Sequence, residues 1–431
     1  MQLHNHPTAA QTLPHSIQLA LVLALGGAVS LGVTRFSYAL LLPPMRADLA
    51  WSYTLAGGMN TSNAVGYMLG ALTVPLLFKR LGAAQVLLGG TVLATLLMWV
   101  TGYFTSSTPL LLQRLLAGMV SAWIFVAGGL LAAQLGARQP NHSGLMLGIY
   151  YGGGGLGIVL SSLLVPLVAL GLFIFAPFAS HAWAWAWWAL ALVCAWAAIV
   201  LYRNRVAIHA LMASTADTVS SNSNTTSTTA ANHAVDQRPT PSKPSVFRRR
   251  DFTYALLGYA CFGAGYIGYM TFIIALLREQ SASTTLVTVF YTLLGLGVMA
   301  SSRLWAKLLD RYHGGEALAL LNFLLGCAII IPAITPWQPA LIVSGMLFGA
   351  VFLSIVASTT ALVRHNLPSP LWAAGISAFT LAFAIGQIIG PTLVGYIADS
   401  AGGLTRGLLL SALTLWLGAL LAWRQKPLLS V

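Results

Sequence analysis

Residues 17–43 read IQLALVLALGGAVSLGVTRFSYALLLP, a run with a single charge, Arg35. A bilayer core takes ~20 apolar residues per helix, and only helices or closed barrels satisfy their backbone groups inside it. The run lacks the alternation of a barrel strand, so it reads as a membrane-spanning helix. Similar runs follow at 54–78, 84–104, 109–133, 143–170, 183–202, 252–277, 284–308, 316–335, 338–362, 371–398 and 404–423. Composition agrees, with 58% hydrophobic residues, 7% charged residues and a mean hydropathy of +0.81. The sequence predicts an all-α polytopic membrane protein with twelve transmembrane helices. The stretch 143–182 is apolar almost throughout, and an eleven-helix reading stays open there.

The chain divides into an N-terminal segment 1–16, a first group of six spans over 17–202, a linker at 203–250, a second group of six over 251–425, and a tail at 426–431. Residues 1–16 contain no Lys or Arg, so the basic start of a cleaved signal peptide is missing. The Ser/Thr/Asn/Ala-rich stretch Ser214–Ala231 cannot bury a core, and the linker is expected to be disordered, with a short surface helix near Val206–Met212. Cys194, Cys261 and Cys327 all fall inside spans and suggest no disulfide framework.

The formal net charge of +13 follows topology. With both termini cytoplasmic, Lys79, Arg80, Arg138, Lys307, Arg311, Arg364, Arg424 and Lys426 lie inside, against Arg46, Arg278 and Arg406 outside. That bias is the positive-inside rule, and it removes the need for a nucleic-acid partner. Trp183, Trp185, Trp187 and Trp188 at the outer end of the sixth span read as an interfacial aromatic belt.

The two groups of spans form a weak internal repeat. Gly66 precedes Arg80 by the same interval as Gly297 precedes Arg311, and the Gly-rich fifth span echoes the eleventh. Paired repeats of this kind place binding sites near the membrane midplane, so two six-helix bundles related by a pseudo-twofold axis are expected.

With these features the chain resembles the major facilitator superfamily over residues 17–425. The superfamily's loop after the second span reads Gly-x-x-x-Asp-Arg-x-Gly-Arg. Here Phe78-Lys79-Arg80-Leu81-Gly82 has Lys79 in place of the Asp, whereas Leu309-Asp310-Arg311-Tyr312-His313-Gly314 keeps Asp-Arg. Arg114-Leu115-Leu116-Ala117-Gly118-Met119-Val120-Ser121-Ala122 is similar to the superfamily's Arg-x-x-x-Gly-x-x-x-Ala pattern, whose Arg is implicated in coupling in proton-linked members. The eleventh span carries Gly386-Gln387-Ile388-Ile389-Gly390-Pro391, and the fifth lacks the Gly-Pro of antiporters. More narrowly, Gly32-Val33-Thr34-Arg35-Phe36-Ser37-Tyr38, Asn63-Ala64-Val65-Gly66-Tyr67-Met68-Leu69-Gly70 and Gly265-Tyr266-Ile267-Gly268-Tyr269-Met270-Thr271-Phe272 resemble the YbfB/YjiJ-like bacterial branch. The resemblance implies a secondary transporter of the bacterial inner membrane and leaves the cargo open. Lys79, Arg80, Asp310 and Arg311 would then belong to an inner gate.

Arg35 is the sharpest candidate for binding. It lies deep in the first span, where a charge is costly and tends to face a bundle interior. Its fork suits a carboxylate or phosphate, although bonding to backbone carbonyls or snorkelling outward would also accommodate it. Tyr38, three residues on, is expected on the same face. Arg114 has a similar claim, weighed against a clamp between helices. Asn60, Asn63 and Tyr67 share one face of the second span, Tyr259, Tyr266 and Thr271 sit on the seventh, and Gln387 lies on the eleventh. Each alone reads first as packing glue, and together opposite Arg35 they outline a cavity. Gly153 and Gly154 are expected to let the fifth span bend or slide, and Gly386, Gly390 and Pro391 to let the eleventh approach a neighbour.

The carboxylates all fall near span ends or in the linker: Asp48, Glu279 and Asp399 outside, Asp251, Asp310 and Glu316 inside, Asp217 and Asp236 in the linker. No His is mid-span. Intramembrane charge is therefore positive, which favours an anionic or zwitterionic small molecule over a cation. Proton coupling would need a peripheral acid such as Asp48 or a proton carried by the substrate. An enzyme would need a buried nucleophile with its base, or a metal cluster, and neither is legible. No nucleotide-binding P-loop and no other cofactor signature is present. The remaining readings are a multidrug or amphiphile efflux pump of the same fold and a non-transporting receptor. A monomer in the bilayer is expected.

Overall fold

The computed structural model describes residues 13–169, 171, 181–212, 248–400 and 402–428. Among them are twelve helices long and apolar enough to cross a membrane, and no strand. The spans are Leu13–Asp48, Tyr53–Leu81, Ala83–Thr101, Ser107–Ala137, Ser143–Ala169, Ala182–Arg203, Arg249–Glu279, Thr284–Ser301, Glu316–Ile334, Gln338–Asn366, Trp372–Ala398 and Gly403–Trp423. The eleven-helix alternative falls away, because Ser143–Ala169 and Ala182–Arg203 are separate helices. The expected linker lies mostly outside the described residues. Its described beginning forms a helix over 205–212 with Ile208 and Leu211 buried. With an even number of spans, the chain ends and the 203–250 connection share one face, called here the linker face; the opposite one is the far face.

Local sequence sets the helix ends. Ser52 and Ser283 each accept the N–H three residues on, from Leu55 and Leu286, at 3.1 Å. These serine caps start the second and eighth spans, equivalent positions of the internal repeat. Gly82 alone separates the second span from the third, at φ +80°, a backbone region that suits glycine and few other residues.

Packing follows the repeat. The second span packs on the fourth and the eighth on the tenth; the third packs on the fourth and sixth, and the ninth on the tenth and twelfth. Gly66 makes the second–fourth crossing close, since a Cβ there would lie 1.9 Å from the Leu115 carbonyl oxygen. Gly297 does the same for the eighth and tenth, with a Cβ 2.9 Å from the Ala350 nitrogen. Small residues replace a hydrophobic driving force in such contacts, because lipid is as apolar as the helices. The halves meet where the second span packs on the eleventh, the fifth on the eighth, and the first on the seventh. Within the most hydrophobic windows, 83% of the first and seventh spans is buried, against 22–56% for the others. These two spans are the most enclosed of the twelve.

Three expectations need correction. The first span runs on through Pro43 and Pro44 to Asp48, and it is not a uniform α-helix. Residues Ala28–Phe36 form a π-helical stretch, closed by a Ser37 N–H to Gly32 carbonyl bond of 3.1 Å. The eighth span is interrupted at Trp305, whose indole donates to the Ala350 carbonyl at 2.8 Å, and resumes as Ala306–Arg311. The tryptophan cluster is not wholly an interfacial belt, because Trp183 and Trp187 are buried. Trp183 donates to Asp48 at 2.6 Å and Trp187 to the Met45 sulfur at 3.4 Å, so both fasten the sixth span to the end of the first.

Candidate functional site

Two guanidiniums sit buried at the centre of the molecule, Arg35 4% and Arg114 1% exposed. Arg35 donates through Nη2 to Gln387 Oε1 at 2.6 Å, and Gln387 passes the chain on by donating through Nε2 to the Tyr266 hydroxyl. Arg114 donates through Nη2 to Asn60 Oδ1 at 3.0 Å, and Asn60 donates through Nδ2 to Thr271 Oγ1 at 2.7 Å. Each cation is thus relayed by one carboxamide to a hydroxyl on the seventh span. Both relays cross from one half to the other.

The two arginines differ in how fully they are held. Arg114 also donates through Nη1 to the Thr34 carbonyl at 2.9 Å, and its guanidinium lies 4.9 Å from the Tyr38 ring centre. Arg35 stands 5.3 Å from the Tyr67 ring centre, and its Nη1 and Nε carry no protein hydrogen bond. Among the described residues neither guanidinium pairs with a carboxylate; the ion pair formed is His181 with Asp48, at the far face. A charge in low dielectric without a counter-ion is costly, and here it is balanced by amide, carbonyl and ring contacts alone.

The structure brings together nearly all of the residues named from sequence, with some changed partners. Tyr38 does not share the Arg35 face. The π-helical turn advances the register, and Tyr38 faces Arg114 while its hydroxyl donates to the Ala56 carbonyl at 3.0 Å. Asn63 donates to the Arg114 carbonyl at 3.1 Å and so braces the backbone behind the cation. Tyr259 lies apart from the arginines, stacked on Phe262 at 5.5 Å. Gly153 packs against the first span, where a Cβ would meet the Ala24 carbonyl oxygen at 2.1 Å, whereas a Cβ at Gly154 would clear its nearest neighbour by 3.6 Å. The helix is continuous through both. Gly386 and Gly390 pack on the Ala260 and Ala264 carbonyls of the seventh span, and the Pro391 carbonyl meets Gly57 of the second.

Sequence reading passed over a second polar site, at the far face. Asp399, at the end of the eleventh span, accepts from the Tyr53 N–H at 2.7 Å, the Thr54 N–H at 2.8 Å and the Thr54 hydroxyl at 2.6 Å. It caps the N-terminus of the second span from the other half of the molecule. The Tyr53 hydroxyl donates to Glu279 of the seventh span, and the Arg46 guanidinium lies 3.7 Å from the Tyr53 ring centre. Partial burial alone would raise the Asp399 carboxyl; the Thr54 hydroxyl, the two N–H donors and Arg46 outweigh it and hold the group below the usual carboxylate range. A cavity of about 240 Å³ lined by Pro43, Arg46, Tyr53, Ala275, Arg278 and Glu279 opens beside this latch. Asp48 is held within the first half by Trp183 and His181 and takes no part.

The far-face latch belongs to a wider pattern. Side-chain bonds between the halves run from the centre outward to the far face: Thr61 to the Ile388 carbonyl and Thr392 hydroxyl, Tyr291 to the Phe36 carbonyl, Ser162 to Thr292. At the linker face Lys79, Arg80, Asp310 and Arg311 are exposed, and among the described residues none of them hydrogen-bonds or ion-pairs across the halves.

The family described as "Uncharacterised MFS-type transporter YbfB" matches the chain over residues 27–423. No curated protein matches it. Among solved structures, a bacterial homologue of the human lysosomal transporter Spinster, inward-facing and unoccupied, aligns with a TM-score of 0.65 at 14% identity, over 96% of this chain and 97% of that one. The nucleoside transporter NupG gives 0.67 at 12% identity, over 95% and 99% of the two chains. A mutant of the peptide transporter POT gives 0.66 at 13% identity, over 94% of each. At these identities the likeness is one of fold, the twelve-helix fold of MFS transporters.

Proposed function

The chain belongs to the family of the uncharacterised MFS-type transporter YbfB, a multi-pass membrane transporter of the MFS type, and from that premise we propose that it moves a small organic anion or zwitterion by alternating access. The supporting observation is the pair of buried guanidiniums without a carboxylate partner, of which Arg35 alone keeps a terminal nitrogen unbonded, Arg114 being left with only its Nε unpaired. A carboxylate accepting from Arg35 would supply the counter-charge and two charge-assisted hydrogen bonds in a low-dielectric site. It would compete with Gln387 for the fork and so loosen one of the two relays joining the halves. The spans over 17–202 and 251–425 then rock as two bundles around the site, with 203–250 as their tether. The far-face latch holds one side shut in the conformation described. The surplus of Lys and Arg at the linker face supports cytoplasmic termini, and a bacterial inner membrane is part of the proposal. The chemistry asked of the chain is binding and translocation, with no bond made or broken. The proposed coupling ion is a proton brought by the substrate itself, because Asp399 is held below the usual carboxylate range and stays ionised, and a monomer carries the whole site.

The test is a thermal-shift panel of anionic, zwitterionic and cationic solutes on the detergent-purified protein, where a ligand of the folded state raises the melting temperature by mass action. Anions are expected to stabilise the wild type, Arg35→Ala to lose the effect, and Arg35→Lys to recover part of it, since the fork is gone. Stabilisation by cations that is indifferent to Arg35 would replace this reading with amphiphile efflux, the second reading, which the aromatic rings beside the site favour.

A further inference from the structure

Three spans of the second half each turn aromatic rings toward one line. The seventh contributes Tyr259, Phe262 and Tyr266 at intervals of three and four; the eleventh contributes Phe383, one turn before Gln387; the tenth contributes Phe352. The rings lie nearly parallel. Phe262 stacks on Tyr266 at 4.9 Å and 23°, and Phe383 on Tyr259 at 5.2 Å and 23°, on Phe262 at 5.3 Å and 18°, and on Tyr266 at 5.6 Å and 12°. Phe352 tilts against Tyr266 at 5.0 Å and 31°. This wall ends at the Tyr266 hydroxyl, which is the end of the Arg35–Gln387 relay. Tyr67 stands on the other half, beneath Arg35. Tyr67 and Phe383 are partly exposed, while Phe262, Tyr266 and Phe352 are buried.

The wall offers ring faces and very few hydrogen-bond groups, so a solute rich in hydroxyls or amides would lose its hydration without replacement. A flat ring loses little and gains offset stacking. The charge available to it is also specific. Arg114 has both terminal nitrogens bonded to protein, and Arg35 has one. One open guanidinium beside an aromatic wall fits one negative charge on a flat apolar body.

Resting on the anionic reading of this site, we propose that its ligand class is the aromatic monocarboxylate, with the carboxylate on Arg35 and the ring between Tyr67 and Phe383. Burial of apolar ring surface and stacking then make affinity rise with ring area, while a second carboxylate finds no partner and weakens binding.

Isothermal titration of the purified full-length protein with 2-naphthoate, benzoate, cyclohexanecarboxylate, acetate and succinate tests this, with naphthalene-methylammonium as the cationic control. The expected order is 2-naphthoate, benzoate, cyclohexanecarboxylate, then acetate and succinate, with benzoate about three- to tenfold tighter than its saturated analogue, the size of a stacking contribution. Phe383→Leu keeps an apolar side chain and should erase most of that ratio; an unchanged melting temperature in the absence of ligand shows that the variant folds. Equal affinity for benzoate and cyclohexanecarboxylate, tighter binding of succinate, or no arene carboxylate binding at millimolar concentration overturns the proposal. If small anions bind through Arg35 without preferring rings, the aromatic class falls and the anionic reading stands. If naphthalene-methylammonium binds and Arg35→Gln does not matter, the anionic reading falls too.

Discussion

The two junctions between the halves, second span on eleventh and fifth on eighth, are equivalent under the internal repeat and both rest on close glycine contacts, since a Cβ on Gly57 would lie 2.2 Å from the Pro391 carbonyl oxygen and one on Gly395 2.2 Å from that of Tyr53, yet they differ in hydrogen bonding. The first is hydrogen-bonded. Asp399 takes three bonds from Tyr53 and Thr54, and Thr61 reaches the Ile388 carbonyl and Thr392 hydroxyl, both at 2.8 Å. The second has little besides its steric contact. Ser162 and Thr292 make one hydroxyl pair at 2.8 Å, and below it a Cβ on Gly155 would lie 2.4 Å from the Gly295 carbonyl oxygen. Hydrogen bonds hold one geometry until broken, whereas close-packed small residues let helices slide against each other. On the proposed transport reading, the hydrogen-bonded junction works as a latch and its counterpart as a bearing, so that one face stays shut while the other moves.

Filling the bearing should have the largest effect. Gly155→Val has no room for its side chain, because Met299 Cγ would lie 2.7 Å from the added Cβ besides the Gly295 oxygen at 2.4 Å, and overpacking typically costs ~1–3 kcal/mol. A clear fall in melting temperature is expected, with Gly154→Val, where a Cβ would first meet Leu31 at an ordinary 3.6 Å, milder. Equal losses in the two variants would mean that the fifth and eighth spans are not in tight register.

Removing the latch comes next. Asp399→Ala should raise maleimide labelling of Ala275→Cys, in the far-face cavity, in a protein whose three native cysteines are replaced. Unchanged labelling would locate the seal elsewhere. The same latch gives a pH dependence. Because the Asp399 carboxyl is held below its ordinary range, its contribution is fully present above the unfolded-state value and is lost as pH falls through the depressed one. Relative to an exposed reference cysteine, whose reaction slows equally as its thiolate is lost, labelling of Ala275→Cys should therefore increase on acidification below the ordinary carboxylate range, and Asp399→Asn should flatten that dependence at this site. The smallest effect is expected for Thr61→Val, which removes one interhelical hydroxyl worth ~0.6 kcal/mol on average in a membrane protein. A loss several times larger would make Thr61 part of the latch.

The spans, their number and the central cluster were legible because each rests on a strong single signal, such as a charge inside an apolar run or three polar residues on one helical face. Arg35, Arg114, Asn60, Thr271 and Gln387 do converge, although sequence offered no way to see that each guanidinium uses one amide to reach the seventh span. A π-helical turn has no sequence mark and moves every later residue around the helix, so the spacing that predicts Tyr38 beside Arg35 leads in the structure to Arg114. Composition cannot tell a tryptophan facing lipid from one facing the next helix, and Trp183 and Trp187 face the first span. The latch escaped because Asp399 and Tyr53 are far apart in the chain, and an acid at a span end has no signature of what it caps. Ser52, a helix cap, was the available hint that the second span begins at a fixed point.

The central claim is that Arg35 is a buried cation lacking a counter-charge. Gln387→Glu places a carboxylate on the partner it already touches. Thermal melting of this variant, with and without benzoate, is the direct test. The account predicts that Gln387→Glu melts higher than wild type without ligand and is no longer stabilised by the anion. A variant that melts lower and still responds to benzoate as wild type does would show that Arg35 needs no such charge, and the claim would fail.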